Sequence, residues 1–160
     1  MRLSALVTAA LVASGALAAC GSTSAGSGST TTVAAVAAGY PVTVNNCGVS
    51  VTYDRAPTRA VSNDINTTED MLALGLESHM VGDFGVTGDG PLGRPVPAQY
   101  LAGFHKVPDI SSDYFTLEEL VGLHPDFLFA GWNYGLQVGT DLTPTGLAEF
   151  GIKTLALTES

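Results

Sequence analysis

The segment Trp132-Asn133-Tyr134 carries the clearest ligand-binding pattern in the sequence. An indole and a phenol can stack on a flat ligand, and the amide between them can form a hydrogen bond. The segment follows the apolar run 126–130, which predicts a buried strand. Large aromatic residues also pack in protein cores. Their position after Gly131, at the end of a predicted strand, favours contact with a ligand.

A second group of candidates lies in the connection 85–115, whose length is typical of a binding loop or a lid. Arg94 is one of only 6 basic residues, and its guanidinium could bind a carboxylate or catecholate oxygen as a forked donor. The alternative, which is more common for arginine, is an exposed side chain that is solvated and contacts no ligand. Tyr100, Phe104 and Tyr114 are aromatic candidates in the same connection, with anchoring of the loop to its domain as the alternative.

Polar residues follow two other predicted strands. Asn63, Asp64 and Asn66 lie at a strand-to-helix turn, where helix capping is the more frequent role. Asp83 lies near the end of the next strand and could accept a ligand hydroxyl or serve a turn. We therefore include Asn63 and Asp83 among the candidate ligand contacts, ranked below Trp132 and Tyr134.

Metal binding and catalysis have little support in the residues. His79 begins a predicted strand and His124 ends a predicted helix, so both face the edge opposite the expected ligand site, and only His105 is on the long connection. Residues 88–93 satisfy the G-x-G-x-x-G string, but the prolines within and after it prevent the helix that a dinucleotide site needs. No G-x-S-x-G, Walker or H-E-x-x-H motif occurs. The sequence predicts no metal site and no enzyme.

The elements that position these residues alternate between strands and helices. A hairpin of 41–45 and 49–53 comes first, followed by strands at 59–63, 79–84, 126–130 and 152–157 and helices at 68–76, 116–123 and 143–151. This alternation predicts an α/β fold, a Rossmann-like parallel sheet with flanking helices preceded by a β-hairpin. Ligands of such sheets bind at the carboxyl ends of the strands.

Helix-capping residues are predicted at three positions. Asn66 or Thr67 is expected to cap the first helix, which places Glu69 and Asp70 in its first turn. Thr116 and Glu119 have capping-box spacing, and Thr143 is followed by a proline at the first helical position; these are predicted starts of the second and third helices.

Residues 1–19 have the pattern of a secretory signal peptide, with Arg2 followed by an apolar stretch too short to span a bilayer. Leu17-Ala18-Ala19-Cys20 resembles the bacterial lipobox, in which the cysteine sulfur receives a diacylglycerol group; ordinary cleavage after a small residue is the alternative. Residues 20–39 are then expected to form a lipidated, flexible tether rich in Gly, Ser and Thr. Two acyl chains make such an anchor stable.

The chain is acidic, and loss of Arg2 with the signal peptide changes its formal net charge from −9 to −10. No run of basic residues offsets this charge. Nucleic acid is therefore excluded as a partner on electrostatic grounds.

As a set, several stretches resemble the substrate-binding proteins of ABC importers for iron-siderophores and cobalamin. They keep the family's order and similar spacing, and they are 56–62, 66–76, 80–82, 116–120, 125–132 and 147–152. The resemblance implies one lobe, 40–160, of a two-lobed lipoprotein on the outer face of the cell membrane. It also implies capture of a metal chelate, foremost an Fe(III)-siderophore, for delivery to an importer permease, with no cofactor. Cobalamin or haem as the ligand, a direct zinc or manganese receptor, a Rossmann-like enzyme and a structural lipoprotein are the alternatives.

Cys47 lies in the predicted hairpin turn and is the only thiol left if Cys20 is acylated. In a compartment that favours disulfides, an odd cysteine predicts a partner. Proteins that this chain resembles often carry a cysteine just after a stretch like 157–160. The resemblance therefore implies a disulfide from Cys47 to a residue outside this chain.

Overall fold

The computed structural model describes residues 39–86 and 95–158. The predicted signal segment and tether, with Cys20, and the candidate Arg94 lie outside these residues. Among the residues described, no helix is long and apolar enough to cross a membrane.

The hairpin forms as predicted. Strand β1 (Val42–Asn46) pairs antiparallel with β2 (Val49–Tyr53). The turn between them consists of Cys47 and Gly48, with φ of 51° and 78°. Positive φ at both central residues defines a type I′ turn, whose twist matches that of the flanking strands.

The main sheet of the described chain is parallel throughout, which confirms the predicted fold class. Its strands are β3 (Ala60–Asn63), β4 (Met80–Phe84), β5 (Asp109–Ser111), β6 (Phe127–Trp132), β7 (Gly135–Leu136) and β8 (Lys153–Leu157). The order across the sheet is β5-β4-β3-β6, and β6 then pairs with β8 along its first four residues and with β7 at its last two.

Helices cover both faces of this sheet. They are α1 (Ile65–Ala73), α2 (Leu101–Phe104), α3 (Leu117–Gly122) and α4 (Pro144–Ala148), with a 3₁₀ turn at Glu77–His79. The neighbouring residues Ala60 and Val61 belong to different hydrophobic clusters, because successive side chains of a strand point to opposite faces. Helices α1 and α2 pack on the Ala60 face, and α3 and α4 pack on the Val61 face.

A carboxylate joins the amino ends of the two central strands. Asp126 accepts hydrogen bonds from the backbone amides of Thr58 (3.0 Å) and Arg59 (2.9 Å). Burial by itself would raise the pKa of Asp126, but these hydrogen bonds hold it below its ordinary value. Arg59 in turn donates to the carbonyl of His124 at 2.8 Å. Thr58, Arg59 and Asp126 belong to the stretches that carry the family resemblance, and their role here is structural.

The hairpin turn docks on the edge of β8. The Asn46 side chain donates to the carbonyl of Ala156 (2.8 Å) and accepts from its amide (2.7 Å), as a paired strand would. Cys47 Sγ lies 3.6 Å from the same carbonyl. At the other end of β8, the Lys153 ammonium lies 5.2 Å from the centre of the Tyr53 ring. The hairpin thus lies along β8.

Several predictions of where elements begin and end were wrong, including the ends of α1 at Ala73 and of α4 at Ala148. Helix α1 starts at Ile65 and is capped by Asp64, whose side chain accepts from the amide of Asn66; neither Asn66 nor Thr67 is the cap, and Glu69 and Asp70 are beyond the first turn. Strand β6 continues to Trp132. The capping box of Thr116 and Glu119 and the cap at Thr143 are confirmed.

Part of the connection 85–115 belongs to the α/β sheet and its helices. The prediction of a binding loop or lid was wrong for that part. Helix α2 and strand β5 lie within it, and Phe104 and Val107 are buried in the core. Short elements with mixed polarity have weak periodicity, so the sequence pattern did not indicate them.

Candidate functional site

The strand order reverses between β3 and β6. From β3 the chain moves outward to β4 and β5, and it then returns to the other side of β3 as β6. In open parallel sheets the crevice at such a reversal, at the carboxyl ends of the strands, is where ligands bind. The residues just after Asn63 and around Trp132 flank this crevice.

A tight turn follows β6 and presents its side chains at the carboxyl edge. Tyr134 N donates to the carbonyl of Gly131 at 3.1 Å, and Asn133 N donates to the carbonyl of Leu136 at 2.8 Å. Asn133 has φ of 64°, a conformation that asparagine tolerates better than most residues, and its side chain is exposed. Trp132 is half-buried against the core, so it has one face for packing and one toward solvent.

Gly135 allows this turn to pack closely. Its φ is 96°, and a Cβ at this position would lie 2.6 Å from the ring of Phe115. A larger residue would therefore push the turn away from β3. Close packing of the turn is what brings Tyr134 over the end of β3.

Two tyrosines from distant parts of the sequence meet here. The rings of Tyr114 and Tyr134 pack edge to face, with centroids 6.2 Å apart and planes at 89°. Both side chains are half-buried. We call Trp132, Tyr134 and Tyr114 the aromatic edge.

Asn63 lies beneath the aromatic edge and has no exposed surface. Its Nδ2 donates to the carbonyl of Tyr134 at 3.3 Å, and its Oδ1 accepts from the amide of Phe115 at 3.4 Å. In this arrangement Asn63 holds the two tyrosine-bearing segments together and does not face solvent. Asn63 would therefore affect ligand binding through the position of those two segments.

Asp64 has strained backbone at the same edge. Its φ of 89° and ψ of 148° lie in a region that residues other than glycine rarely adopt. The amide of Asp64 donates to the carbonyl of Phe84 at 2.8 Å, and its carboxylate caps α1. These two contacts hold the strained residue in place and fix the start of α1 directly after β3.

Asp83 is enclosed within the sheet. It pairs with Ser62 of β3 and with Asp109 of β5, and its side chain has no exposed surface and no hydrogen-bond partner among the described residues. Burial, with a smaller contribution from the charge of Asp109, raises the pKa of Asp83 to about 8. Asp83 is therefore largely protonated at neutral pH, and it is not at the surface that a ligand would meet.

The other predicted candidates lie elsewhere. Tyr100 is half-buried and, with Phe104, packs against the core on the α1 face, which is the anchoring role.

The three histidines do not form a metal site. The ring of His79 lies 3.0 Å from the carbonyl of Pro57, and His105 and His124 are exposed. Across residues 39–86 and 95–158, no three His, Cys, Asp or Glu side chains are grouped closely enough to hold a metal ion.

An apolar groove of about 740 Å³ was not predicted from the sequence. It lies between the hairpin, the second half of α1 and the amino-terminal parts of β3, β6 and β8, and its lining includes Val42, Tyr53, Met71, Leu74, Phe127 and Leu155. Leu74 is 73% exposed. Consecutive apolar residues in β6 are typical of a strand covered on both faces, and this signal could have indicated the groove.

Comparison with solved structures places this fold among periplasmic binding proteins. A periplasmic binding protein from Veillonella parvula superposes with a TM-score of 0.57 at 23% identity, over 72% of this chain and 37% of that one. The ABC-type Fe3+-hydroxamate transport system protein from Saccharomonospora viridis gives 0.54 at 26% identity, over 73% and 39%. A periplasmic solute binding protein from Mycobacterium smegmatis gives 0.54 at 25%, over 74% and 40%.

The chain spans about two fifths of the length of these structures. No protein-family model and no curated protein matches it. The resemblance to the binding proteins of ABC transport systems is nevertheless confirmed at the level of the fold, and the matched part corresponds to one lobe.

Proposed function

We propose that this chain is the ligand-binding lobe of an extracytoplasmic receptor that captures a metal chelate, an Fe(III)-siderophore, for an ABC importer. The observation that carries the proposal is the aromatic edge at the strand reversal, where Tyr114 and Tyr134 pack together above the buried Asn63. A solved structure of similar fold is named as part of an Fe3+-hydroxamate transport system, which supports the ligand class.

The chemistry of the edge is suited to binding without reaction. Aromatic rings bury the apolar parts of a chelate, and exposed amides such as Asn133 form hydrogen bonds with its oxygens. Two of the solved structures reported above are named as periplasmic binding proteins, and the third is named as part of a transport system. We therefore propose capture and delivery to a permease, and not catalysis.

The proposal includes a lipid anchor. Acylation of Cys20 and the tether behind it would hold the lobe at the outer face of the cell membrane, where an importer permease could receive the chelate. It also includes a disulfide between Cys47 and a cysteine that follows β8 in a longer polypeptide. The position of Cys47 Sγ, 3.6 Å from the carbonyl of Ala156 in β8, supports a partner on that side of the sheet.

Mapping the binding site by NMR tests the proposal. A Ga(III) tris-hydroxamate, a diamagnetic stand-in for the ferric chelate, is titrated into ¹⁵N-labelled protein. We expect saturable shifts at Trp132, Asn133 and Tyr134, with Leu74 and His79 in the apolar groove unchanged. Shifts confined to the groove, or no saturable shift with hydroxamate, catecholate, cobalamin or haem ligands, would contradict the proposed site.

A further inference from the structure

The basic side chains of the described domain all lie at the amino ends of the strands. Arg55 and Arg59 precede β3, and Lys153 is the first residue of β8. Lys106 precedes β5 and forms an ion pair of 3.0 Å with Glu77, which itself precedes β4. Within residues 39–86 and 95–158 these four are the full set of lysines and arginines. They face away from the aromatic edge.

Four exposed acids lie at the opposite edge, where none of these four bases offsets them. Asp113 follows β5, and Asp141 lies in the loop after β7. Glu118 and Glu119 form the first turn of α3, which starts from the same edge. The backbone amide and the hydroxyl of Thr116 donate to Glu119 and hold its pKa below the ordinary value, so this carboxylate stays charged.

Among the described residues, exposed neutral polar groups also lie at this edge. Asn66, Asn133, Gln137 and Thr140 are exposed after or between the strand ends. The side-chain amides of Asn133 and Gln137 can donate to ligand oxygens without bringing a positive charge. The described carboxyl edge therefore offers hydrogen bonds and aromatic surface inside a negative potential.

Ferric chelates differ in net charge according to their donor groups. Three hydroxamates, each with one negative charge, neutralise Fe(III), and a free amine elsewhere on such a ligand makes the complex cationic. Three catecholates leave the complex with three negative charges. A negative edge repels the second type and accepts the first.

Building on the proposed function, we infer that this edge selects neutral or cationic ferric chelates of the hydroxamate type over anionic catecholate or carboxylate-rich chelates. The selection follows from the separation of the four described bases from the aromatic edge and from the exposed acids beside it. The inferred selection therefore depends on the net charge of the chelate and not on its iron centre.

A matched series of chelates tests the inference on the full chain. A linear ferric tris-hydroxamate is used with its terminal amine free, acetylated or succinylated, which changes the net charge from positive through zero to negative at a constant iron centre. Affinity is followed by quenching of Trp132, the only tryptophan. We expect the cationic member to bind about tenfold more tightly than the anionic one at ~10 mM ionic strength, and about twofold at ~150 mM, because salt screens the acids.

Two variants test whether the acids at the carboxyl edge cause the preference for the cationic chelate. Replacing both edge acids (Asp113→Asn with Asp141→Asn) should reduce the low-salt preference to about threefold. Glu149→Gln removes the same kind of charge next to the amino end of β8 and should leave the preference unchanged. Equal or tighter binding of the anionic member at low salt would overturn the charge inference while the proposed function stood. If no chelate in the series, and no catecholate, quenched Trp132 saturably, the proposed function would fail and the inference with it.

Discussion

The side chain of Asn63 spans the two segments that build the aromatic edge, with Nδ2 3.3 Å from the carbonyl of Tyr134 and Oδ1 3.4 Å from the amide of Phe115. Asn63→Ala removes both contacts and leaves buried backbone groups without partners. We expect a loss of about 1–3 kcal/mol in the free energy of unfolding. We also expect weaker chelate binding at temperatures where the variant is fully folded. Chemical denaturation and Trp132 quenching measure the two effects.

The control for Asn63→Ala is Ile152→Val, a conservative change at a buried core residue. It should cost about 0.5–1.5 kcal/mol of stability and leave chelate affinity unchanged. If both variants weakened binding equally, the loss would be a general effect of instability and not of the position of Tyr134.

Asp64 combines a helix cap with strained backbone, and two substitutions separate these features. Asp64→Ala loses the cap and keeps the strain, so we expect about 0.5–2 kcal/mol of destabilisation. Asp64→Gly loses the same carboxylate but adopts φ of 89° freely, so its stability should stay within about 0.5 kcal/mol of the parent or rise. Thermal unfolding of the pair checks the strain, and a glycine variant less stable than the alanine variant would show that none is stored there.

The buried Asp83 should make stability depend on pH. Its pKa is raised from 3.8 to about 8, so the folded protein keeps a proton that the unfolded chain releases. The contribution of Asp83 is therefore complete below pH ~4, declines as pH rises toward ~8 and is flat above that. Asp83→Asn removes this slope and should stabilise the protein at pH 8 by a few kcal/mol, on the order set by the shift.

Urea denaturation of the parent and of Asp83→Asn across this pH range makes the comparison. Asp109→Asn is the second variant, because the Asp109 charge is the smaller cause of the raised pKa. It should make the slope only slightly shallower. Parallel pH profiles for the parent and Asp83→Asn would mean that Asp83 is ionised in the folded protein.

The proposed anchor predicts different fates for the two cysteines. Cys20→Ala should shift the protein from the membrane fraction to soluble or unprocessed forms, because the acceptor of the diacylglycerol is gone. Cys47→Ala is the matched control and should stay in the membrane fraction. Fractionation with mass spectrometry of the N-terminus measures both. A processed Cys20→Ala protein that remained on the membrane would contradict the anchor.

The fold was predictable because its strongest signals are local and periodic. The hairpin around Cys47-Gly48, the buried run of β6 and the capping box at Thr116 each have a sequence pattern that one mechanism explains. Strand β5 and helix α2 have no such pattern, since three- and four-residue elements depend on the neighbours that cover them. They were consequently predicted as loop.

The site was predictable only in part. Trp132 and Tyr134 could be placed at a strand end from the sequence, but the contact of Tyr134 with Tyr114 depends on how two distant segments pack. The burial of Asn63 and Asp83 depends in the same way on strands that are far apart along the chain. Their residue types indicated a site, whereas only the fold distinguishes a residue beneath the site from one that faces it.

The central claim is that the aromatic edge binds a ferric chelate, and fluorescence of Trp132 in the parent chain and in Tyr134→Ala tests it most directly. With correction for absorption by the chelate, we predict saturable quenching of the parent by a ferric tris-hydroxamate. In Tyr134→Ala we predict an affinity about tenfold lower, since a stacking or packing contact of this size contributes on the order of 1–2 kcal/mol. Quenching that rose linearly without saturation, or that was identical in the parent and Tyr134→Ala, would contradict the account.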